Sequence, residues 1–300
     1  MVVTHSAYRG RFAPSPTGPL HFGSLYTAVA SYLHARSEGG QWLVRIDDLD
    51  PYRCKQEYAS KILDTLVQFG LTWDEDILYQ SHRIEAYKSA LSRLQRLELL
   101  YPCHCSRKNL MSRQGQPGPY DGFCLAHPPK DGQPTALRIK LPNKYIFLND
   151  DVQGPSQLAL KKEIGDFVIF RKDDVVSYHL AVVIDDDEQG ITHVLRGSDL
   201  LASTYQQIHL QQLLHLKHPG YAHIPVISDT KGHKLSKQTD AHDISLAPVN
   251  ETLINILRYL NLNPPPKLLT AKSTDILEWG IHAWSLKRIQ PKNSIIFQTD

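Results

Sequence analysis

The first 46 residues hold the pattern that most constrains the fold. Residues 8–14 predict a strand that runs into a turn at residues 13–19, whose prolines and glycine stop any helix. Residues 21–36 then repeat apolar side chains at steps of four, which predicts a helix, and residues 42–46 predict a second strand. This order predicts a βαβ unit and therefore an α/β fold.

The rest of the chain continues with further elements. Residues 100–135 break the pattern, because cysteine, glycine, proline and glutamine crowd there, and they predict a small inserted module. The last sixty residues predict a small helical appendage. The individual expectations are helices at 57–70, 83–99, 199–215, 250–261 and 274–289, and strands at 136–149, 166–171 and 179–186.

Composition excludes several classes of function. The formal net charge is only +2, so a basic tail is not the main device for binding nucleic acid, although a local surface can still bind RNA. Four cysteines are too few for a disulfide scaffold in a chain of 300 residues. No apolar run reaches the ~18 residues that span a bilayer, and residues 1–11 lack the apolar core of a secretory signal. We therefore expect a cytoplasmic protein without a membrane partner.

The turn at residues 17–24 (TGPLHFGS) suits a phosphate group. Small residues lead into a helix N-terminus, where free backbone N–H groups and the helix dipole favour anions. His21 is placed to donate to a phosphate oxygen, and Gly23 lets a nucleotide lie against the backbone. The alternative is a plain Pro-Gly turn before a core helix, which is the more frequent case for these residues alone.

A second, cationic motif lies at residues 231–238 (KGHKLSKQ). Lys234 and Lys237 stand three apart beside a glycine and a serine. Such a loop can close on a triphosphate and neutralise charge on the leaving pyrophosphate. A solvated surface turn is the alternative, since lysines are common in loops.

Together the motifs resemble class I aminoacyl-tRNA synthetases of the glutamate type. RFAPSPTGPLHFGS (11–24) resembles their first signature, VRIDDLDPYR (44–53) the strand after the first helix, and KLSKQ (234–238) their second signature. Only 62 residues follow Gln238, too few for the anticodon-binding region of full-length glutamyl-tRNA synthetases. The chain is therefore similar to the short paralogues that consist of the catalytic domain alone.

The resemblance implies a fold, a reaction and partners. The expected fold is a Rossmann-like catalytic domain at 1–100 and 136–240, with a zinc module at 101–135, a helical region at 241–300 and no anticodon-binding domain. The expected reaction is activation of L-glutamate by ATP with Mg²⁺, then transfer of glutamate to the queuosine base in the anticodon of tRNA(Asp). A monomer is expected.

The resemblance also implies site residues. His21, Lys234 and Lys237 are expected to be catalytic, and His21, Gly23 and Lys237 to bind ATP. Ser24 stands where the first signature often has its last histidine, which removes one phosphate contact. The residues expected to contact glutamate are Arg11, Phe12, Ala13, Pro14, Ser15, Asp47, Tyr178 and Arg196.

Three of these residues have structural alternatives. Arg196 suits the side-chain carboxylate because a guanidinium donates two parallel hydrogen bonds, but an ion pair with Asp199 or with the acidic run 185–188 is its alternative. That run is otherwise expected to be a solvated turn, and less often a Mg²⁺ site. Tyr178 is also compatible with ordinary half-buried packing. Asp47 stands where the family usually has glutamate, so its contact with the α-ammonium can require a water.

Three cysteines fall within 22 residues, which indicates a metal more than disulfides. The resemblance assigns one structural zinc to three thiolates and a phenolate. These ligands are Cys103, Cys105, Tyr120 and Cys124. On chemistry alone His104 and His127 are rival fourth ligands, and three reduced thiols without a metal are the alternative to a zinc site.

Two other functions fit the same residues. One is a minimal glutamyl-tRNA synthetase that charges a tRNA 3′ end. The other is a non-catalytic paralogue that binds glutamate or ATP, which the retained His21, Gly23, Lys234 and Lys237 disfavour.

Overall fold

The computed structural model describes residues 7–116, 118–229 and 244–297. Its helices are α1 (Phe22–Ser37), α2 (Gln56–Gln68), α3 (Ile84–Arg96), α4 (Arg107–Gln114), α5 (Phe123–Ala126), α6 (Tyr178–Glu188), α7 (Leu201–Leu214), α8 (Val249–Tyr259) and α9 (Ser273–Ala283). Its strands are β1 (Arg9–Phe12), β2 (Gln41–Ile46), β3 (Leu78–Tyr79), β4 (Leu100–Cys103), β5 (Ala136–Ile139), β6 (Tyr145–Asp150), β7 (Gly154–Ala159), β8 (Val168–Phe170), β9 (His193–Gly197), β10 (Gly220–Ile224), β11 (Val226–Ser228) and β12 (Ser294–Ile296). None of the described helices is both long and apolar enough to cross a bilayer.

Two sheets meet to form the central layer. In one, β2 pairs in parallel with β1 and β3; in the other, β10 pairs in parallel with β9 and β6, and β7 is antiparallel to β6. The backbone N–H of Thr192 donates to the Arg9 carbonyl at 3.0 Å, which joins the two sheets beside β1 and β9. In open parallel sheets, ligands bind outside the carboxyl ends of the strands, so this junction is the expected place for a site.

The C-terminal helices share the main core with the first helix. The helix predicted at 250–261 is present as α8, and the one predicted at 274–289 is present as α9 only as far as Ala283; both contribute to the hydrophobic cluster built around α1. A Cβ at Gly280 of α9 would lie only 3.1 Å from Leu33 and 3.2 Å from Leu257, so this glycine permits the close approach of the three helices. Strand β12 also pairs in parallel with β11. Residues 244–297 are therefore packed on the core and are not set apart from it.

The cysteine-containing region is built on a separate small sheet. Strand β5 pairs antiparallel with β4 on one side and β8 on the other. The predicted strand at 136–149 is thus two strands, β5 and β6, which lie in different sheets. Helices α4 and α5 lie between β4 and β5 in the sequence, where the inserted module was expected.

The strand predicted at residues 179–186 is wrong, because this segment lies in helix α6. The hydroxyl of Ser177 caps the helix by accepting from the backbone N–H of Leu180. Its apolar run is buried on all sides, and a continuous apolar run does not distinguish a buried strand from a buried helix. The helical conformation turns Asp185 and Asp186 inward, where both are buried.

Candidate active site

A pocket opens at the carboxyl ends of β1 and β9. Its lining contains seven of the eight residues predicted to contact glutamate, together with His21 and Gly23. The seven are Arg11, Phe12, Ala13, Pro14, Ser15, Tyr178 and Arg196. The structure therefore brings the two parts of the predicted site into one cavity. Lys234 and Lys237 lie outside the described residues.

Arg196 of β9 is buried behind this pocket, with 4% of its surface exposed. Its Nη2 donates to Thr204 Oγ1 and to Gln207 Oε1, both at 2.7 Å, and its Nε donates to His223 Nε2 at 3.1 Å. Its Nη1 reaches Tyr178 Oη at 3.4 Å. These hydrogen bonds fix the guanidinium through neutral groups. A buried cation held in this way is suited to binding an anionic ligand, because ionic pairing offsets the cost of burying charge.

Arg11 is placed differently, because its charge is already paired. Its Nε and Nη2 donate to the two carboxylate oxygens of Asp186 at 3.1 and 3.3 Å, and both side chains are buried. Arg45 also donates to Asp186, at 2.6 Å. Burial alone would raise the pKa of Asp186, but the two arginines hold it below its usual value. Arg11 therefore lines the pocket without offering an uncompensated charge.

The acidic run 185–188 is therefore not the solvated turn that the sequence predicted. Asp185 is fully buried and accepts hydrogen bonds from Tyr87, Arg83 and Gln80 at 2.7 to 2.8 Å. Because α6 turns Asp185 and Asp186 inward, these carboxylates form ion pairs with three arginines, Arg83, Arg11 and Arg45. The alternative that paired Arg196 with this run is wrong, since Asp185 and Asp186 bind other arginines.

Asp47 does not line the same pocket. It lies in a neighbouring pocket that shares Ser15 and Tyr178 with the first. Its carboxylate is buried and accepts from Arg45 Nε at 2.8 Å. Burial raises the pKa of Asp47 to about 6. The shortened side chain is thus held against the sheet, and it does not reach the cavity that Arg11 and Arg196 line.

His21 forms the N-cap of α1 at the edge of the pocket. Its Nδ1 accepts from the backbone N–H of Ser24 at 3.3 Å, and its Nε2 lies 2.9 Å from Ser24 Oγ. A Cβ at Gly23 would lie 3.3 Å from the His21 ring, so a side chain there would crowd the cap. The helix N-terminus, His21 and Ser24 together form a site suited to a phosphate group.

The thiols of Cys103, Cys105 and Cys124 lie close together, at the end of β4 and in α5. Their sulfur atoms are all within 4.8 Å of one another. The Tyr120 hydroxyl lies 3.5 Å from the Cys103 sulfur and 3.7 Å from that of Cys105. Three thiolates are ligands that zinc prefers, and the phenol oxygen lies beside them, although burial and its hydrogen bonds with the cysteines raise the pKa of Tyr120. The four predicted ligands are therefore brought together.

The two rival histidines are placed differently from each other. His104 Nδ1 lies 3.4 Å from the Cys124 sulfur, so this ring contacts the cluster. His127 is exposed, and its ring stacks on Phe123 with 4.5 Å between centroids. The contacts leave Tyr120 and His104 as the candidates for a fourth ligand.

Arg138 connects the cysteine cluster to the small sheet. Its Nε donates to the Cys103 sulfur at 3.2 Å, and its guanidinium lies 3.8 Å above the Tyr120 ring. Burial alone would raise the pKa of the Cys103 thiol, but hydrogen bonds from Tyr120 and Arg138 lower it to about 7. Thiolate is the form that binds a metal, so this environment favours a metal ligand.

The family model for the catalytic domain of class I tRNA synthetases (E and Q) matches residues 7–252. A protein of Methylococcus capsulatus named glutamyl-Q tRNA(Asp) synthetase is 48% identical over 292 residues, covering 96% of this chain and 95% of that protein. A protein of the same name from Neisseria meningitidis serogroup C is 46% identical over 294 residues, covering 96% and 99%.

The chain belongs to the glutamyl-Q tRNA(Asp) synthetase family. It is an enzyme, a ligase of the aminoacyl-tRNA synthetase type. A solved structure of glutamate-tRNA synthetase from Elizabethkingia anophelis has the same fold, with a TM-score of 0.80 and 23% identity. The likeness covers 98% of this chain and 68% of that one.

Sequence reasoning missed the residues that hold the site from behind. Thr204 and Gln207 lie on α7, three residues apart, so they share the helix face that meets Arg196. That spacing was visible in the predicted helix at 199–215. Arg45 stands inside an apolar strand, which is itself a sign of a buried ion pair. No sequence signal paired Asp150 with His223, because these residues meet only across β6 and β10.

Proposed function

We propose that this synthetase activates L-glutamate with ATP to form glutamyl-adenylate and then transfers the glutamate to the queuosine base in the anticodon of tRNA(Asp). The observation that carries the proposal is the single pocket in which Arg196 and Tyr178 lie beside His21 and Gly23. This joins an amino-acid site to a phosphate site, as adenylate formation requires. The choice of tRNA(Asp) as acceptor is supported by the names of the two relatives, whose alignments cover nearly all of this chain.

In the first step, an oxygen of the glutamate α-carboxylate attacks the α-phosphorus of ATP in line with the leaving pyrophosphate. The pocket supplies proximity and orientation, so no side-chain nucleophile is needed. The N-terminus of α1 and His21 would hold the phosphates. Mg²⁺ bound to ATP would offset phosphate charge. In the second step, the acceptor attacks the activated carbonyl and AMP leaves.

Stabilisation of the leaving pyrophosphate is assigned to Lys234 and Lys237. The assignment depends on the KLSKQ motif, since these residues lie outside the described part of the chain. A preorganised cation at a developing negative charge acts on the transition state more than on the ground state. We therefore assign these lysines to catalysis and not to the recognition of glutamate.

Amino-acid choice is assigned to Arg196, with Tyr178 beside it. A guanidinium donates to both oxygens of a side-chain carboxylate, whereas glutamine would present an amide N–H₂ group to the same donors. Leaving buried polar groups unpaired is costly, so such a site rejects glutamine strongly. Arg11 shapes the pocket from its pair with Asp186. Asp47 lies in the neighbouring pocket, so a bridging water would have to connect its carboxylate to the α-ammonium.

One structural zinc is assigned to Cys103, Cys105 and Cys124, with Tyr120 as the fourth ligand. The donor set fits the metal, because thiolates are preferred zinc ligands and Arg138 favours the thiolate of Cys103. When bound, zinc would cross-link a module whose own core is small. The three thiols hold the position, and Arg138 connects it to β5.

Glutamate-dependent exchange of pyrophosphate into ATP tests the first step. We expect exchange with glutamate and little with glutamine, both with and without tRNA. Absence of exchange under all conditions would instead support the non-catalytic paralogue.

Transfer is tested with tRNA(Asp) that carries or lacks queuosine, and with tRNA(Glu). We expect labelled glutamate only on the queuosine-containing tRNA(Asp), including a form from which the 3′-terminal adenosine has been removed. Loss of labelling with that adenosine, or labelling of tRNA(Glu), would identify a minimal glutamyl-tRNA synthetase instead.

A further inference from the structure

A chain of three buried groups crosses the sheet behind the pocket. His223 of β10 lies directly opposite Arg196 of β9, and β10 also pairs with β6, which ends at Asp150. His223 Nδ1 lies 2.5 Å from Asp150 Oδ2, and Arg196 Nε donates to His223 Nε2 at 3.1 Å. The exposed fractions of Asp150, His223 and Arg196 are 3%, 0% and 4%. Water is therefore largely excluded from the whole chain of contacts.

Arg196 Nε and Thr204 Oγ1 both face His223 Nε2, at 3.1 and 3.0 Å; the Thr204 hydroxyl can donate or accept, so the arginine decides the tautomer of His223. The guanidinium Nε–H of Arg196 is always a donor, so the Nε2 atom of His223 must present its lone pair. The imidazole proton therefore sits on Nδ1 and is donated to Asp150, which accepts as a carboxylate. A second proton on His223 would place two N–H groups against each other at Arg196. The orientation of Arg196 consequently depends on which tautomer His223 adopts.

Asp150 is itself held in one orientation. Its Oδ1 accepts from the backbone N–H groups of Val152, Gln153 and His223 at 2.8 to 3.1 Å. The other oxygen, Oδ2, is left facing the imidazole. Burial alone would raise the pKa of Asp150, but hydrogen bonds from His223 and the backbone hold it below its usual value. Burial lowers the pKa of His223, so the neutral ring faces Arg196.

We propose that Asp150 and His223 are positioning residues for glutamate recognition: Asp150 selects the Nδ1–H tautomer of His223, and His223 Nε2 sets the plane of the Arg196 guanidinium. This inference rests on the proposed function, in which Arg196 binds the side-chain carboxylate. Neither residue lines the glutamate pocket, so both act through Arg196 and not on the substrate. Thr204 and Gln207 accept from Nη2 of the same guanidinium, and the Thr204 hydroxyl also lies 3.0 Å from His223 Nε2.

Asp150→Asn tests the tautomer directly. The three backbone N–H groups require an oxygen at Oδ1, so the new amide N–H₂ group would face His223 Nδ1. The imidazole would then have to accept at Nδ1 and carry its proton on Nε2, against the Nε–H of Arg196. At metal sites, loss of a hydrogen-bond partner that orients a ligand costs about 10–100-fold, and we expect an effect of the same order here. We expect the glutamate KM to rise by about ten-fold or more, with the ATP KM nearly unchanged and a narrower preference for glutamate over glutamine.

The matched control is Asp151→Asn. It makes the same chemical change at the next residue, whose side chain is exposed and outside the chain of contacts. We expect its glutamate KM to equal that of the wild type. An equal rise in both variants would overturn the proposal, because it would reflect a general effect on this turn.

Two substitutions of His223 separate its two nitrogen atoms. The Oε1 atom of glutamine can take the place of Nε2 and accept from Arg196, whereas asparagine reaches only the position of Nδ1. His223→Gln should therefore keep much of the preference for glutamate, and His223→Asn should lose it. Thermal unfolding of both variants is measured first. The proposal would be overturned if the loss of preference for glutamate followed the loss of thermal stability in the two variants, whichever of the two amides had been introduced.

Nitrogen-15 NMR of histidine-labelled wild-type protein gives a readout that needs no substitution and no activity. We expect one neutral ring, identified by its loss in His223→Gln, with its proton on Nδ1, and the opposite tautomer in Asp150→Asn. A proton on Nε2 in the wild type would overturn the proposal. Arg196→Ala distinguishes the two levels. If it leaves the glutamate KM unchanged, the proposed role of Arg196 in binding glutamate fails, and the positioning role fails with it. If it raises the KM while Asp150→Asn does not, only the positioning role fails.

Discussion

The glutamate pocket and the cysteine cluster are held in place by different means. Behind the pocket, Arg196 is fixed by side chains from β10, from α6 and from α7, all of which belong to the large cores. Among the described residues, the cluster has a buried core of Tyr101, Cys103, Tyr120 and Cys124, with three partly buried residues packed on it, and helix α4 buries none of its own residues. The pocket is therefore ordered by the fold itself, whereas the zinc proposed for the module would add a cross-link to its small core. Damage to the pocket should change kinetics, and damage to the module should change metal content and local structure.

The largest effect is expected from Cys124→Ser. Structural zinc sites contribute ~10–16 kcal/mol, so the loss of one ligand of four should lower zinc affinity on the order of 10³-fold. Elemental analysis should find one zinc per chain in the wild type and almost none in the variant. Limited proteolysis should then cleave the region 101–135.

Cys54→Ser is the matched control, because Cys54 is a half-buried cysteine outside the cluster. It should keep the full zinc content. If Cys124→Ser bound as much zinc as the wild type, the cysteine cluster would not be held by a metal and would not differ from the pocket in this respect. Tyr120→Phe and His104→Ala then identify the fourth ligand: we expect a weaker site from the first and little change from the second.

Lys237→Ala should lower the rate of pyrophosphate exchange by roughly 10²–10³-fold, which is typical for the loss of one donor to a transition state. Circular dichroism should be unchanged, as expected for a residue that we assign to catalysis. Lys217→Ala, at an exposed lysine, should keep the normal rate. A normal rate in Lys237→Ala would show that the KLSKQ motif does not act on the phosphates.

Arg196→Ala should raise the glutamate KM about 10–10²-fold, since hydrogen bonds to a charged group contribute ~1.5–3 kcal/mol. The ATP KM should stay nearly constant, and the preference for glutamate over glutamine should narrow. Asp199→Ala serves as the comparison. If Asp199→Ala raises the glutamate KM as much as Arg196→Ala, and both variants still prefer glutamate over glutamine, then Arg196 stabilises the segment around Asp199 and does not bind the substrate.

The last effect concerns the acid stability of the main core. Trp284 Nε1 donates to His34 Nδ1 at 3.2 Å, and burial lowers the pKa of His34 to about 4. Between about pH 6.5 and 4 the unfolded chain binds the extra proton, so stability falls as pH falls, by on the order of 3 kcal/mol at pH 4. Denaturant unfolding of His34→Gln should show a shallower pH dependence than the wild type over this window. An equal slope would assign the acid sensitivity to other groups.

The same contrast separates what the sequence could predict from what it could not. The βαβ unit and the turn at 13–19 follow from local rules, because proline, glycine and helical periodicity act within a few residues. The cysteine cluster was also predictable, since its ligands are close in the sequence. The inward turn of Asp185 and Asp186 was missed because a buried apolar run has no period. The contact between Asp150 and His223 depends on strand pairing over a distance of 73 residues, which no local pattern reports.

A crystal structure of the enzyme with bound glutamate tests the central claim most directly. The neighbouring pocket is lined by three other arginines, Arg53, Arg107 and Arg171. Glutamate could therefore bind in either pocket, and the complex shows which one it occupies. We predict the side-chain carboxylate on the Arg196 guanidinium beside Tyr178 Oη, with the α-carboxylate directed toward His21. Glutamate bound through those three arginines, with Arg196 contacting only protein groups, would contradict the account.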